Sequence, residues 1–248
     1  MTFRERLLAG EHLVGCFLNM GSGVAAEICA LAGFDWLLID LEHGSATEAD
    51  LLPQLQAVAR SGATPLVRVE ANDRPRFTKA LDLGAEGVMV PRVAGAAEAR
   101  EAVAHLRYPP VGDRGVALLN RATGFAAHGR EYVEGFGERV VGIVQIETES
   151  AVAEADEIAA LAGVDCLFVG PADLSHALGV FQRFDDPRFV AAVERVRDAA
   201  ARHGKASGVL VSSAEHDRWR DLGFTFVGVG SDSSFLAGGA RAAARTSR

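Results

Sequence analysis

The feature that most constrains the fold of this sequence is a strand–helix pattern that repeats eight times. Short runs rich in valine, isoleucine, leucine and phenylalanine each precede a longer stretch with helical periodicity. The predicted strands are 13–19, 35–40, 64–69, 87–91, 140–147, 165–169, 206–211 and 225–229. The predicted helices are 22–32, 47–61, 73–83, 95–106, 149–161, 186–203, 213–222 and 232–245.

These strands show no alternation of apolar and polar residues, which is typical of parallel strands buried on both faces by helices. Eight such units in 248 residues predict a closed (β/α)8 (TIM) barrel, and we expect a single domain over residues 1–248. A doubly wound open sheet is the alternative. The sequence contains neither a GxGxxG motif after the first strand nor a Walker loop, which are the motifs that would support an open sheet.

Glycines occur where six of the predicted helices should end, and we expect them in the left-handed conformation that terminates a helix. They are Gly33, Gly62, Gly84, Gly163, Gly204 and Gly223. One segment, 107–138, is longer than an ordinary connection, which predicts a functional or mobile loop.

Composition excludes several classes of partner. The chain has 33 acidic and 25 basic residues, and acids interrupt its basic runs, so nucleic acid is not an expected partner. Neither an apolar run of about 20 residues nor a secretory leader is visible, which predicts no membrane association and a cytoplasmic protein. The three cysteines are far apart in apolar stretches, and we expect them to be buried, unpaired hydrophobic residues.

Polar residues cluster at the carboxyl ends of four predicted strands, where barrel enzymes have their active sites. Arg68 and Glu70 share one face of their strand, and Gln145 and Glu147 share one face of theirs. For any one of these positions taken alone, a buried polar layer, or an ion pair of Arg68 with Glu70 or Glu147, would explain the polar residue without a functional site. Four strands that end in this way favour a functional site. The other strand ends contribute 40–43 (Asp-Leu-Glu-His) and Asp173.

Glu147 and Asp173 are oxygen ligands on neighbouring strands, which predicts Mg, Mn or Co rather than structural zinc. Such an ion could act as a Lewis acid on a 2-oxo acid, with Arg68 beside the developing enolate oxygen and His43 as the proton carrier.

The two lysines argue against a Schiff-base mechanism, which needs an amine in the pocket. Lys79 falls within a predicted helix, and Lys205 precedes the seventh strand at its amino end. His128 lies in the long loop, where it could contact substrate. The turn 228–233 could hold a phosphate or carboxylate, although Ser231 and Asp232 serve equally well as helix caps. The remaining histidines are expected at the surface: His12, His105, His176, His203 and His216.

Taken together, these segments resemble the class II, metal-dependent pyruvate aldolases, a group that includes 4-hydroxy-2-oxoheptanedioate, 2-keto-3-deoxy-L-rhamnonate and 2-dehydro-3-deoxyglucarate aldolases. The resemblance runs through most of the chain, whereas loop 117–138 follows none of these enzymes closely. It is carried by FDWLLIDLEHG (34–44), PLVRV (65–69), ALDLGAEGVMVPRV (80–93), RYPPVGDRGV (107–116), VQIET (144–148) and VDCLFVGPADLS (164–175).

The resemblance implies a role for each matching position. His43 would be the catalytic base, Arg68 the group that stabilises the enolate-like transition state, and Asp82 the group that raises the basicity of the histidine. Glu147 and Asp173 would bind the divalent metal. Gln145, Arg68, Asp173 and the backbone at Ala172 would contact substrate.

Asp82 falls at the end of the third predicted helix, near the amino-terminal face of the barrel, and so should not reach His43 of its own chain. We therefore expect Asp82 to serve a neighbouring subunit in an obligate homo-oligomer. The resemblance implies a hexamer with an exchanged C-terminal helix.

The hypothesis from sequence is thus reversible cleavage of a 4-hydroxy-2-oxo acid to pyruvate and an aldehyde. Two alternatives stay open: a lyase acting on a citramalyl- or malyl-CoA type of thioester, and a non-catalytic barrel that binds an oxo acid.

Overall fold

Eight parallel strands form a closed barrel in the computed structural model, which describes residues 1–246. Each strand pairs with the next along the chain, and the last pairs with the first. The predicted (β/α)8 barrel is confirmed. The strands are β1 (Leu13–Leu18), β2 (Trp36–Asp40), β3 (Thr64–Arg68), β4 (Gly87–Val90), β5 (Val141–Ile146), β6 (Cys166–Val169), β7 (Ala206–Leu210) and β8 (Phe226–Ser231).

Twelve helices are present over the described residues, and they surround the barrel or cover its ends. They are α1 (Phe3–Leu8), α2 (Gly23–Leu31), α3 (Glu48–Val58), α4 (Arg74–Asp82), α5 (Ala96–Leu106), α6 (Gly129–Arg139), α7 (Glu149–Ala153), α8 (Ala155–Ala159), α9 (Pro171–Ala177), α10 (Pro187–Arg202), α11 (His216–Asp221) and α12 (Asp232–Thr246).

Several predicted boundaries were wrong for local reasons. The helix predicted over 149–161 is interrupted at Glu154, whose carboxylate accepts the N–H of Ala96 at 2.8 Å. The helix predicted from residue 213 begins at His216, because Ser212 instead donates its hydroxyl hydrogen bond to Glu215. Helices α1, α6 and α9 were not predicted, and α6 lies within the long segment expected to be irregular.

Five of the six terminating glycines adopt the expected left-handed backbone, with Gly62 as the exception. Helix α3 already ends at Val58, and the Ser61 hydroxyl donates to the Val58 carbonyl, so the chain turns before it reaches Gly62. The expectation for the cysteines is confirmed, because all three are free and buried.

The alternation of side chains along each strand separates two apolar layers. One layer fills the space between the strands and the helices. The other fills the barrel interior, where Trp36 and Phe226 stack with ring centroids 4.3 Å apart. At its amino-terminal end, Phe3 and Leu7 of α1 join this interior layer, so the barrel is closed there. The open end is therefore the carboxyl end of the strands.

None of the helices described over residues 1–246 combines the length and apolar character needed to cross a membrane.

A tightly packed interior predicts that one added methyl group will destabilise the barrel. In Gly208→Ala the new Cβ would lie 2.5 Å from the Phe168 ring and 2.9 Å from the Phe226 ring. We expect the free energy of unfolding to fall by about 1–3 kcal/mol, which is typical of overpacking. Urea denaturation followed by circular dichroism measures this change.

Gly62→Ala is the matched control, because its Cβ would meet no atom within 4 Å. It should leave stability within about 0.5 kcal/mol of the original protein. Equal stability of the two variants would contradict a filled barrel interior.

Candidate active site

The inward-facing positions of the strands change from apolar to polar at the open end of the barrel. On β2, Asp40 lies on the same inward-facing side of the strand as Trp36 and Leu38. On β3, Arg68 lies on the same inward-facing side as Leu66. On β5, Gln145 follows Val141 and Ile143 in the same way. These side chains are buried. Polar groups in such an interior need partners, so each should be held by its neighbours.

Arg68 is the centre of this polar layer. Its Nε and Nη2 donate to the two carboxylate oxygens of Asp40 at 2.9 and 2.7 Å, a two-pronged ion pair between register partners on β2 and β3. Its Nη1 donates to Gln145 Oε1 at 3.3 Å and lies 3.1 Å from Glu42 Oε2. The guanidinium also lies over the Phe17 ring, 5.3 Å from its centroid. The guanidinium is therefore fixed in direction at the floor of the open end.

The alternative pairing of Arg68 with Glu70 or Glu147 was wrong. Strand β3 ends at Arg68, and Glu70 lies in the following loop, 3.3 Å from Arg76 Nη1. Glu147 instead contacts Gln145 and the backbone of Arg92.

Asp40 and Glu42 are two residues of the site to which the sequence analysis, which placed 40–43 at a strand end, gave no role. Asp40 accepts, besides Arg68, the backbone N–H groups of Glu42 and His43 at 3.1 and 3.3 Å. It thus links the buried arginine to the segment that carries the histidine. Its inward phase on β2, directly opposite Arg68, is the signal that could have identified it.

Glu147 lies in a cradle made by three strands. Its carboxylate accepts the Arg92 N–H at 2.6 Å and the Gln145 side-chain amide at 2.6 Å. Arg92 has φ 53°, a strained conformation for a residue other than glycine, and in it the Arg92 N–H reaches the carboxylate. Gly170 lies beside Glu147, because a Cβ there would be 2.7 Å from Glu147 Oε2.

Electrostatics at this end are dominated by acidic groups. Burial and, to a smaller extent, the nearby charges of Asp173 and Glu42 raise the pKa of Glu147 to about 7, against the opposite effects of the Arg92 N–H and Arg68. Burial also raises the pKa of Glu42. Glu42 Oε2 is a buried atom that lies 3.1 Å from Arg68 Nη1. Four carboxylates, those of Asp40, Glu42, Glu147 and Asp173, with one buried arginine leave an unbalanced negative charge, which a cation would offset.

Asp173 and Ala172 lie in the first turn of α9, directly after β6. Asp173 is solvent-exposed and close enough to raise the pKa of both glutamates. Glu147 and Asp173 therefore offer hard oxygen donors from neighbouring strand ends, a donor set that fits Mg or Mn. Over the described residues 1–246, no group of three or more Asp, Glu, His or Cys side chains is arranged to hold a metal, so water or substrate would supply the other ligands.

His43 lies at the rim of the same site. Its side chain is 63% exposed, and its Nε2 is 3.6 Å from Glu42 Oε2. An exposed imidazole above a buried arginine can exchange protons with both solvent and a bound molecule.

Asp82 does not join this group within the chain. It is the last residue of α4, and it accepts a hydrogen bond from Arg114 Nη2 at 2.7 Å. The Arg114 guanidinium is buried among the rings of Tyr108 and Phe136. Of the predicted site residues, the structure thus brings His43, Arg68, Gln145, Glu147, Ala172 and Asp173 to one end of the barrel and leaves Asp82 apart from them.

The other sequence-based expectations can now be placed. Lys79 is an exposed residue of α4, and Lys205 directly precedes β7 at its amino end. In the turn 228–233, Ser231 Oγ accepts the N–H of Ser234 as a helix cap, and Asp232 accepts the N–H groups of Asn19 and Met20. His105 was expected at the surface but is buried, with its Nδ1 3.1 Å from Asp113.

Comparison with known proteins agrees with this geometry. Residues 13–238 match the family described as HpcH/HpaI aldolase/citrate lyase. The chain belongs to this family. It is 38% identical over 231 residues to a 5-keto-4-deoxy-D-glucarate aldolase of Shigella boydii, with 93% of this chain and 90% of that protein covered.

Two further relatives are similar over nearly the whole chain. A hydroxypyruvate/pyruvate aldolase of Agrobacterium fabrum is 38% identical over 242 residues, which cover 97% of this chain and 91% of that protein. The crystal structure of a HpcH/HpaI aldolase/citrate lyase family protein from Burkholderia cenocepacia superposes with a TM-score of 0.94 at 38% identity, covering 99% and 98% of the two chains.

The buried ion pair predicts that this family member is sensitive to loss of the Asp40 charge. In Asp40→Asn, Arg68 keeps its charge but loses a bidentate partner in the barrel interior. The free energy of unfolding should fall by roughly 3 kcal/mol, as for other buried pairs that lose one partner. Chemical denaturation measures it.

Glu134→Gln makes the same carboxylate-to-amide change in an exposed pair with Arg130. It should cost less than about 0.5 kcal/mol. If both variants lose equally little, Arg68 is not fixed by Asp40.

Proposed function

We propose that this protein catalyses the reversible aldol cleavage of a 4-hydroxy-2-oxo acid, such as a 2-keto-3-deoxy sugar acid or a hydroxy-oxo-heptanedioate, to pyruvate and an aldehyde. The observation that carries the proposal is the fixed Arg68 guanidinium at the open end of the barrel, which is linked to the Glu147 carboxylate through Gln145 and shares Glu42 Oε2 with His43. The aldolase names of the 38%-identical relatives support the same reaction class.

Glu147 and Asp173 are the residues that would bind a divalent metal, Mg, Mn or Co. The raised pKa of Glu147 fits a site with surplus negative charge. A bound divalent ion would act as a Lewis acid on the 2-oxo acid and so favour the enolate.

Arg68 supplies the positive charge that cleavage needs. When the bond between C3 and C4 breaks, negative charge moves to the oxygen on C2. A guanidinium held by Asp40 and Gln145 needs no reorganisation to stabilise that oxygen, and it acts in a water-poor interior where such charge stabilisation is strong.

His43 is placed to take the proton of the C4 hydroxyl, directly or through a water molecule. Its exposed ring can then release that proton to solvent or return it to C3 of the enolate. Glu42 Oε2 lies 3.6 Å from Nε2 of this ring.

Gln145 and the backbone at Ala172 would contact substrate. The side-chain amide of Gln145 bonds to both Arg68 and Glu147, so it fixes the distance between these two groups. The absence of a side chain at Gly170 leaves room beside them. Loop 117–138 is bonded to the end of α4 beside Asp82, away from the site of its own chain, so it would shape the aldehyde side of a neighbouring subunit's site, where substrate preference is decided.

The test is pyruvate release from a panel of 4-hydroxy-2-oxo acids by protein treated with EDTA and then restored with Mg, Mn or Co. We expect release that requires the metal and is abolished in Glu147→Gln, because the amide loses the negative charge that binds the ion. The control Glu149→Gln changes a nearby exposed carboxylate in α7 and should keep full activity.

Other outcomes decide between the alternatives. Release that survives chelation would contradict the metal mechanism. Cleavage of citramalyl- or malyl-CoA in place of the oxo acids would favour the thioester lyase, and binding of oxo acids without any turnover would favour the non-catalytic barrel.

We also propose that the protein is a homo-oligomer, a hexamer with exchanged C-terminal helices, in which Asp82 completes the site of a neighbouring subunit. Three exposed apolar residues, Val24, Ile28 and Leu31, form a stripe along α2, and Phe235 and Leu236 of α12 are exposed close to it. Much of α12 beyond residue 236 is solvent-exposed in the single chain. A cytoplasmic location stays a prediction.

The assembly predicts a hexameric mass by light scattering after size-exclusion chromatography. Ile28→Asp should shift the mass toward smaller species, because it places a charge in the apolar stripe. Glu27→Gln, one residue away on the same helix, should not. A monomer that retains full activity would contradict the role of Asp82 in a neighbouring site.

A further inference from the structure

Two histidines from distant parts of the chain face each other on the outside of the barrel. His12 directly precedes β1, and His216 begins α11, 204 residues later. Their Nε2 atoms are 2.8 Å apart, and their rings cross at 67°. Both side chains are half-buried, so the pair is held by its surroundings and can still be reached from solvent. His12 stands at the amino end of the barrel, opposite the candidate active site.

The other nitrogen of the His216 ring is already engaged. His216 Nδ1 lies 3.2 Å from the Asp217 carboxylate, which can only accept. A neutral imidazole that donates through Nδ1 carries a lone pair on Nε2. His216 Nε2 can therefore accept across the 2.8 Å gap, and a metal ion in place of the His12 proton would bind a lone pair from each Nε2.

Burial of the pair disfavours the charged form of His12. Burial lowers the pKa of His12, and the charges of His216 and Arg220 lower it further, against smaller opposite effects of the Phe224 backbone and Asp35. Asp35 is itself paired with Arg6, and Arg220 contacts Asp217 at 2.9 Å. The local charges are thus largely matched among themselves, and His12 stays available as a neutral ligand.

We propose that His12 and His216 form a binding site for a divalent transition-metal ion that prefers imidazole, namely Cu²⁺, Zn²⁺ or Ni²⁺. Two imidazole nitrogens bound to one such ion lie about 2.9–3.3 Å apart, since each bond is about 2.0–2.1 Å long. The observed pair reaches this spacing with a shift of about half an ångström or less. Water completes the coordination, and the Asp217 carboxylate orients the His216 ring, as second-shell carboxylates do in metal sites.

An ion at this position joins the segment before β1 to the helix before β8. These are the two strands whose pairing closes the barrel. Because the ion binds the folded chain and not the separated segments, it should raise the melting temperature. This site is chemically distinct from the active site, where all proposed ligands are oxygen atoms.

The experiment uses the full chain without a histidine tag, treated with EDTA and dialysed. Titration calorimetry with CuCl2 and with ZnCl2 gives stoichiometry and affinity, and a melting curve gives the shift in Tm. Measurements in the Glu147→Gln background separate this site from the active site. We expect one equivalent of Cu²⁺ to bind in that background, with a rise in Tm.

Variants assign the ligands. His12→Gln and His216→Gln should each weaken binding by at least about tenfold and abolish the rise in Tm, and Asp217→Asn, an exposed position, should weaken it about tenfold. His203→Gln is the control, because His203 is paired only with Asp156 and should leave binding unchanged.

Electron paramagnetic resonance of the Cu²⁺-loaded Glu147→Gln protein provides a readout that does not depend on whether the histidine variants fold. Coupling to two imidazole nitrogens is expected. Coupling to fewer than two, binding that is equal in all folded variants, or no binding of either metal would overturn the proposal and leave the pair as a hydrogen bond only.

Discussion

The buried ion pair between Asp40 and Arg68 is the interaction on which the candidate site depends. A guanidinium in the interior of a barrel is stable only if its charge and its donors are matched, because removal from water costs several kcal/mol per ion. Here the match comes from Asp40 and Glu42 at the end of β2 and Gln145 near the end of β5, with the Phe17 ring beneath. The same contacts that stabilise the arginine fix its direction.

From this pair the rest of the site follows. Asp40 accepts a hydrogen bond from the backbone N–H of His43. Gln145 bonds to both Arg68 and Glu147, so it fixes the position of Glu147 relative to the arginine. The carboxylates outnumber the arginine, so the side chains are held in place but their net charge is negative. That imbalance is the physical reason to propose that Glu147 and Asp173 bind a divalent cation.

The sequence alone predicted the barrel, because strands that are apolar on both faces have few other architectures available. It also predicted that Arg68, Gln145 and Glu147 face one region, since alternation along a strand is local information. The partner of Arg68 could not be predicted in the same way. Pairing with Asp40 depends on the register between β2 and β3, and Glu70, the nearer residue in sequence, leaves the strand and turns to Arg76. Long-range pairs such as His12 with His216 depend on closure of the barrel, which no local pattern records. The single-domain organisation, the roles of the site residues and the place of Asp82 stay predictions.

The most direct test of the central claim uses pyruvate alone, because the fold does not determine which aldehyde the protein accepts. An enzyme that stabilises the enolate of pyruvate through Arg68 should exchange the methyl protons of pyruvate for deuterium in D2O, which proton NMR measures in the presence of Mn or Mg. We predict exchange by the original protein, and a loss of at least about 100-fold in Arg68→Lys, which keeps the charge but not the bidentate geometry. Exchange at the original rate in a folded Arg68→Lys variant, or no exchange by the metal-loaded protein, would contradict the account.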